Sequence, residues 1–123
     1  MPMVLVIRNP KKVKDSTLTG PTGFLARLAR NIAENLHIDE ITEAHLKPED
    51  IEVICQDRGK LDICRHDIQI IVFASHFKER EVDLSRRIGL ISSFIQGWFD
   101  RYNVSGYVWF RLAPAAFNEW VGS

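Results

Sequence analysis

One order of elements occurs twice in this chain, and it limits the possible folds more than any other feature of the sequence. A β-rich apolar segment, an amphipathic helical segment and a second apolar segment follow one another in the first half, and the order returns in the second. The first strand is predicted at Met3–Arg8 and ends at Asn9–Pro10, because proline cannot donate a hydrogen bond to a sheet. The two repeats cover about residues 2–60 and 66–115 of a single predicted domain, 1–123.

Each half contains one predicted helix with a buried face. In the first half, apolar residues recur at helical spacing from Leu25 to Leu36, after a Thr19–Gly23 segment whose hydroxyls suit a helix start. In the second half, the helix is predicted to end near Tyr102, and its apolar positions alternate between spacings of four and three: Leu84, Ile88, Ile91, Ile95 and Trp98.

The remaining segments are assigned as strands or connections. The other three predicted strands are Ile51–Cys55, Ile68–Ala74 and Tyr107–Leu112. Polar or charged connections are expected at Lys11–Thr17, Asp39–Asp50 and Lys78–Glu81. Leu61–Cys64, after the turn signal at Gln56–Lys60, is interpreted as a short hairpin arm.

These elements predict an α/β (α+β) fold in which two consecutive β-α-β units form a four-stranded mixed sheet with two helices on one face. Each unit should have parallel strands joined by a right-handed crossover helix. Val, Ile and Phe dominate both alternating sets of strand positions, so the second face of the sheet is also apolar. One small chain cannot cover that face, and we expect an oligomer whose sheets face one another.

Composition excludes several function classes. Acidic and basic residues balance at 16 each, which gives no reason to expect a nucleic-acid or membrane partner. The N-terminus lacks the features of a signal peptide, so we expect a cytoplasmic protein. Cys55, Cys64, His66 and His76 match no compact zinc spacing, and no nucleotide-binding loop occurs, so we expect no metal and no cofactor.

Pro2 is a candidate for catalysis. Removal of Met1 would leave a secondary amine at the mouth of the first strand, and burial there would lower the pKa of that amine. A base poised near the working pH suits general acid–base chemistry. The alternative is that a proline in the second position has no role.

A proline behind Met1, opening a duplicated β-α-β chain of this length, resembles the tautomerase superfamily, which includes oxalocrotonate tautomerase, carboxymethyl-hydroxymuconate isomerase and macrophage migration inhibitory factor. The second half is most similar to the cis-chloroacrylate dehalogenase branch. Its segments Ile71–Leu84 and Val108–Ala115 look like that branch's strand-to-helix passage and its last strand with a Pro-Ala turn.

The resemblance implies a tautomerase or isomerase acting on a small unsaturated 2-oxo or 2-hydroxy acid, without a cofactor, in a homotrimer. Pro2 would be the general base and His76 a second catalytic group. The residues that would bind the carboxylate-bearing substrate are Arg80, Arg111, Lys12 and Trp109.

Several of these residues could also have no part in function. Arg80 could be a solvated arginine of a charged linker, His76 a packed or exposed histidine, and Lys12 part of a solvated loop. The chain departs from the branch's pattern at Phe77, Trp109 and Trp120. Those departures favour the alternative, a non-catalytic oligomeric binding or scaffold protein of the same fold.

Overall fold

A computed structural model describes residues 2–41, 45–75, 78–113 and 122. The strands are β1 (Met3–Arg8), β2 (Glu52–Asp57), β3 (Ile68–Ser75) and β4 (Gly106–Ala113). The helices are α1 (Asp15–Leu18), α2 (Phe24–Leu36), α3 (Lys78–Glu81) and α4 (Leu84–Asp100), and a 3₁₀ turn occupies Pro48–Asp50.

The four strands form one mixed sheet in the order β2-β1-β3-β4. β1 pairs with β2 in parallel, β3 pairs with β4 in parallel, and the two pairs join where β1 runs antiparallel to β3. Each parallel pair is connected through a long helix, so the predicted two β-α-β units and four-stranded mixed sheet are confirmed.

The core lies between one face of the sheet and the helices α2 and α4. Val4 and Val6 of β1 and Ile70 and Val72 of β3 are fully buried. The apolar stripe of α2 buries Phe24, whose ring packs 4.6 Å from that of Phe99 between centroids. The two helices therefore cover this face together.

The other face of the sheet is left open by the described residues. Side chains alternate along each strand, and strand register places apolar residues of three neighbouring strands, Leu5, Ile71 and Trp109, side by side. Ile54, the β2 partner of Leu5, is 46% exposed, and Trp109 is 64% exposed. The predicted apolar second face is present in the chain.

Two short helices occupy segments that were expected to be connections. α1 begins inside the expected connection Lys11–Thr17 and ends one residue after it, at Leu18. At its end, the Asp15 carbonyl accepts both the N–H and the hydroxyl of Thr19, each at 2.9 Å. α3 occupies Lys78–Glu81. Four-residue helices are too short to produce a periodic apolar pattern, so no pattern in the sequence indicated them.

The predicted hairpin arm is wrong. Residues 58–67 contain no strand, and the side chains of Leu61 and Ile63 are 95% and 100% exposed. A tight turn replaces the arm, because Asp62 donates its N–H to the Gly59 carbonyl while its carboxylate accepts the Gly59 N–H.

No helix in the described ranges has the length and apolar character needed to cross a membrane.

Candidate functional site

Pro2 occupies a buried position directly before β1, which is an inner strand of the sheet. Its carbonyl accepts the N–H of Glu52, the first residue of β2, at 3.1 Å. This bond extends the β1–β2 pairing and fixes the backbone of Pro2 against the neighbouring strand. Pro2 is therefore held against the sheet rather than extended into solvent.

The topology brings the ends of β3 and β4 to the same edge of the sheet, here called the Pro2 edge. Because β3 runs antiparallel to β1, Met3 pairs with Phe73, close to the end of β3. Phe73 pairs in turn with Arg111 of β4. Two strand spacings, about 10 Å, separate the backbones of Met3 and Arg111.

Arg111 is exposed on the open face of the sheet. Side chains two residues apart on a strand share a face, so Arg111 and Trp109 lie on the same side of β4. The open face thus presents a guanidinium group and an indole near the Pro2 edge, which suits a small acid with an unsaturated body.

Arg80 is the second guanidinium at this edge, and it is buried, with 2% of the residue exposed. Its Nε donates to the carbonyl of Leu36 at 2.9 Å, and an Nη donates to the carbonyl of Ser75 at 2.6 Å. Burial, followed by the nearby positive charge of Arg87, lowers the pKa of Arg80 to about 10. The group is still charged at neutral pH, so a fixed positive charge lies beside the end of β3.

Arg87 and Asp83 support this arrangement, and sequence reasoning missed both. An Nη of Arg87 donates to the carbonyls of Asn35 and His37 at 2.8 and 2.9 Å, and its Nε donates to the Asp83 carboxylate at 2.7 Å. The spacing of four residues between Asp83 and Arg87 could have indicated their ion pair. Nothing in the sequence indicated that Arg87 also binds the end of α2.

Not every predicted site residue reaches the Pro2 edge. Lys12 follows the far end of β1, about 20 Å of strand away from Pro2. His76 lies outside the described residues, as do Phe77 and Trp120, two of the three departures from the dehalogenase pattern. Of the described candidates, Pro2, Arg80 and Arg111 lie at the Pro2 edge, and Trp109 lies two residues before Arg111 on β4.

Two cavities, each of about 400 Å³, lie at the opposite edge of the sheet. One lies between α4 and the start of β4, and the other lies between α1, the start of α2 and the end of α4. Pro2, Arg80 and Arg111 line neither of them.

Comparisons with known proteins identify the fold. No family model and no curated protein matches the sequence significantly. Among solved structures, the chain is similar to a 5-carboxymethyl-2-hydroxymuconate delta-isomerase, with a TM-score of 0.61 and 12% identity over 99% of this chain and 89% of that one.

Two other solved structures share the architecture. Macrophage migration inhibitory factor from Oncomelania hupensis gives a TM-score of 0.54 and 14% identity over 100% of this chain and 81% of that one. FG41 malonate semialdehyde decarboxylase, solved with the inhibitor 3-bromopropiolate, gives a TM-score of 0.50 and 14% identity over 98% and 91%. All three are tautomerase superfamily proteins, so this chain has the tautomerase fold.

Proposed function

We propose that this chain is a tautomerase or isomerase of the tautomerase superfamily, with the nitrogen of Pro2 as its general base. The observation that carries the proposal is the buried position of Pro2 at the start of an inner strand, at the edge where Arg80 and Arg111 also lie. The fold shared with 5-carboxymethyl-2-hydroxymuconate delta-isomerase supports it. The chemistry requires that Met1 be removed, because only a free secondary amine can accept a proton.

In the proposed reaction, the Pro2 nitrogen takes a proton from a carbon next to a carbonyl and returns it at another position. The substrate is a small unsaturated 2-oxo or 2-hydroxy acid. Burial at the start of β1 and the fixed positive charge of Arg80 both disfavour the protonated amine, and so hold Pro2 in its basic form.

The other predicted residues have complementary roles in this proposal. Arg111 binds the substrate carboxylate, since its guanidinium is on the surface and can form two parallel hydrogen bonds. Trp109 packs against the unsaturated body of the substrate. His76 stabilises the developing enolate. A contribution from Lys12 would require a neighbouring copy of the chain, because Lys12 lies at the far end of β1.

We also propose that the chain forms a homotrimer in the cytoplasm. The apolar open face, with Ile54 46% exposed and Tyr107 45% exposed, supports assembly through the sheets. A neighbouring copy would then enclose the Pro2 edge and exclude water from it, which strengthens the charge interactions on which the reaction depends.

The test compares Pro2→Ala with the protein that starts at Pro2. Using 5-carboxymethyl-2-hydroxymuconate and phenylpyruvate as substrates, we expect Pro2→Ala to lower kcat/KM roughly 100-fold or more. Pro10→Ala is the matched control, because Pro10 is exposed after the end of β1. Equal rates for Pro2→Ala and the parent protein would remove Pro2 from the mechanism.

A second candidate function is a non-catalytic oligomeric binding or scaffold protein of this fold. The observation that favours it concerns Arg80, one of the predicted substrate-binding residues. Its guanidinium already donates hydrogen bonds to two backbone carbonyls, as expected of a structural residue. Intact mass spectrometry of the protein from its natural source separates the two functions. A mass that includes Met1 favours the scaffold, since Pro2 then has no basic nitrogen.

A further inference from the structure

The cavity between α1, the start of α2 and the end of α4 has a chemistry that the proposed tautomerase site does not use. It has a volume of about 400 Å³ and lies at the sheet edge opposite Pro2. Arg27 and Arg101 are among the residues that line it, and none of the lining residues is an aspartate or a glutamate. Within the described residues, neither arginine forms an ion pair.

The ring of Trp98 and two backbone carbonyls orient both arginines. The Arg101 guanidinium lies 4.5 Å from the centroid of the Trp98 ring, and that of Arg27 lies 5.8 Å from the same ring. The Nε of each donates to a backbone carbonyl, Thr22 for Arg27 and Trp98 for Arg101. The terminal Nη groups, which form the fork that recognises oxyanions, have no partner in the part of the chain that is described.

Hydroxyl groups complete the lining. Ser16, Thr17 and Thr22 line the cavity, and their hydroxyls make no hydrogen bond to any described residue. The Nε1–H of Trp98, whose ring lines the cavity, is buried and has no acceptor among the described residues. The cavity thus combines two cations with several uncommitted hydrogen-bond donors.

The start of α2 adds donors of its own. Gly23, the N-cap residue, also lines the cavity, and a Cβ at this position would lie 2.0 Å from the Thr19 carbonyl oxygen. No side chain can therefore replace the glycine and cap the helix, and no side chain caps it from elsewhere. The first-turn N–H groups of this 13-residue helix and its dipole favour an anion at this end.

We propose that this cavity binds the phosphate group of a small phosphorylated molecule. A tetrahedral oxyanion can accept hydrogen bonds from several directions at once, which suits two guanidinium groups, hydroxyls and helix N–H groups arranged around one space. The Arg101 guanidinium already lies over one face of Trp98 and one face of Tyr102, which favours recognition of the phosphate over stacking of an aromatic base there.

The test is a titration with inorganic phosphate, and then with phenyl phosphate, followed by the ¹H–¹⁵N signal of the Trp98 indole. The signal is assigned with Trp98→Phe, and sodium chloride at equal ionic strength is the reference. We expect saturable shifts with phosphate, and binding weakened about tenfold or more in the Arg27→Gln/Arg101→Gln double variant. Arg30→Gln is the matched control, because Arg30 is exposed on α2 and does not line the cavity.

Several results would overturn the proposal: shifts that do not saturate, equal shifts with chloride, or equal weakening by Arg30→Gln and the double variant. Arg27 and Arg101 are exposed, so both variants should fold, and the single Arg101→Gln variant gives a second measurement if the double variant unfolds. Pro2→Ala should bind phosphate like the parent protein, so the result is independent of the tautomerase proposal.

Discussion

Two arginines at the Pro2 edge show how differently the same side chain can be used. Arg111 presents its guanidinium on the open face of β4, whereas Arg80 is buried and donates to the carbonyls of Leu36 and Ser75. We therefore expect removal of Arg111 to weaken substrate binding, and removal of Arg80 to weaken the fold.

For Arg111→Gln, we expect KM for a carboxylate-bearing substrate to rise about ten- to a hundredfold with a smaller change in kcat, because a charged bidentate contact is lost. Steady-state kinetics on 5-carboxymethyl-2-hydroxymuconate measures both constants. Arg65→Gln serves as the control, since Arg65 is exposed in the loop before β3. An unchanged KM in Arg111→Gln would exclude Arg111 as the carboxylate contact.

For Arg80→Met, we expect the free energy of unfolding to fall by about 2–4 kcal/mol, because one buried and one partly buried carbonyl lose a charged donor. Urea denaturation followed by circular dichroism measures the change. Arg86→Met is the matched control, as the Arg86 side chain is 62% exposed and bonds only to Asp83 in the described structure. Similar stability of the two variants would contradict a structural role for Arg80.

At the scale of elements, the end of α2 depends on residues that come much later in the chain. Arg80 bonds to Leu36, and Arg87 bonds to Asn35 and His37, over separations of 44 to 52 residues. These contacts satisfy carbonyls that the last turn of a helix leaves without partners. They also join α2 to the start of α4, so the two halves of the chain are fixed to each other at the Pro2 edge.

Asp83 makes this connection sensitive to pH. Hydrogen bonds from Arg87 and then from Arg86 lower the pKa of the Asp83 carboxyl below its usual value of 3.8. The stability that the carboxylate contributes is therefore complete above pH 3.8, and it is lost as the pH falls through the lower folded-state pKa.

For Asp83→Asn, we expect lower stability than the parent protein at pH 7 and a smaller difference between the two at pH values near 2 to 3. Urea denaturation at both pH values tests this. Asp100→Asn, at the exposed opposite end of α4, is the control and should show a smaller effect at pH 7. A difference between Asp83→Asn and the parent that does not change with pH would show that ionisation of Asp83 is not involved.

The same elements show what the sequence could and could not predict. The strands were found because their apolar runs are continuous, and α4 because its apolar residues keep a helical period over 17 residues. The burial of Arg80 was not foreseen, because its acceptors are backbone carbonyls, and every residue type has such a carbonyl. The candidate phosphate cavity was also not foreseen, since Arg27 lies on α2 and Arg101 directly follows α4, in different halves of the chain.

At the scale of the whole molecule, the open face of the sheet determines how copies of the chain associate. Leu5 and Ile71 lie next to each other on the two inner strands. Their partners on the outer strands, Ile54 on β2 and Trp109 on β4, are exposed. Burial of these side chains against a neighbouring copy would be the main gain in free energy on assembly.

For Leu5→Glu, we expect light scattering to show the mass of one chain where the parent protein shows three, because a buried carboxylate would face the apolar interface. Leu90→Glu is the matched control. Leu90 is 44% exposed on α4, in the helix layer, and the substitution there should leave the mass unchanged. A Leu5→Glu protein that kept the mass of the parent would place the interface elsewhere.

The strand order has one more consequence. β2 and β4 are the outermost strands, and one side of each has backbone N–H and C=O groups that pair with no strand of the described sheet. Such unpaired margins can bind strands of further chains and so lead to aggregation. Closure of copies into a ring would occupy both margins, but dilution reopens them. We therefore expect the separated copies to aggregate through these strands when the protein is concentrated again.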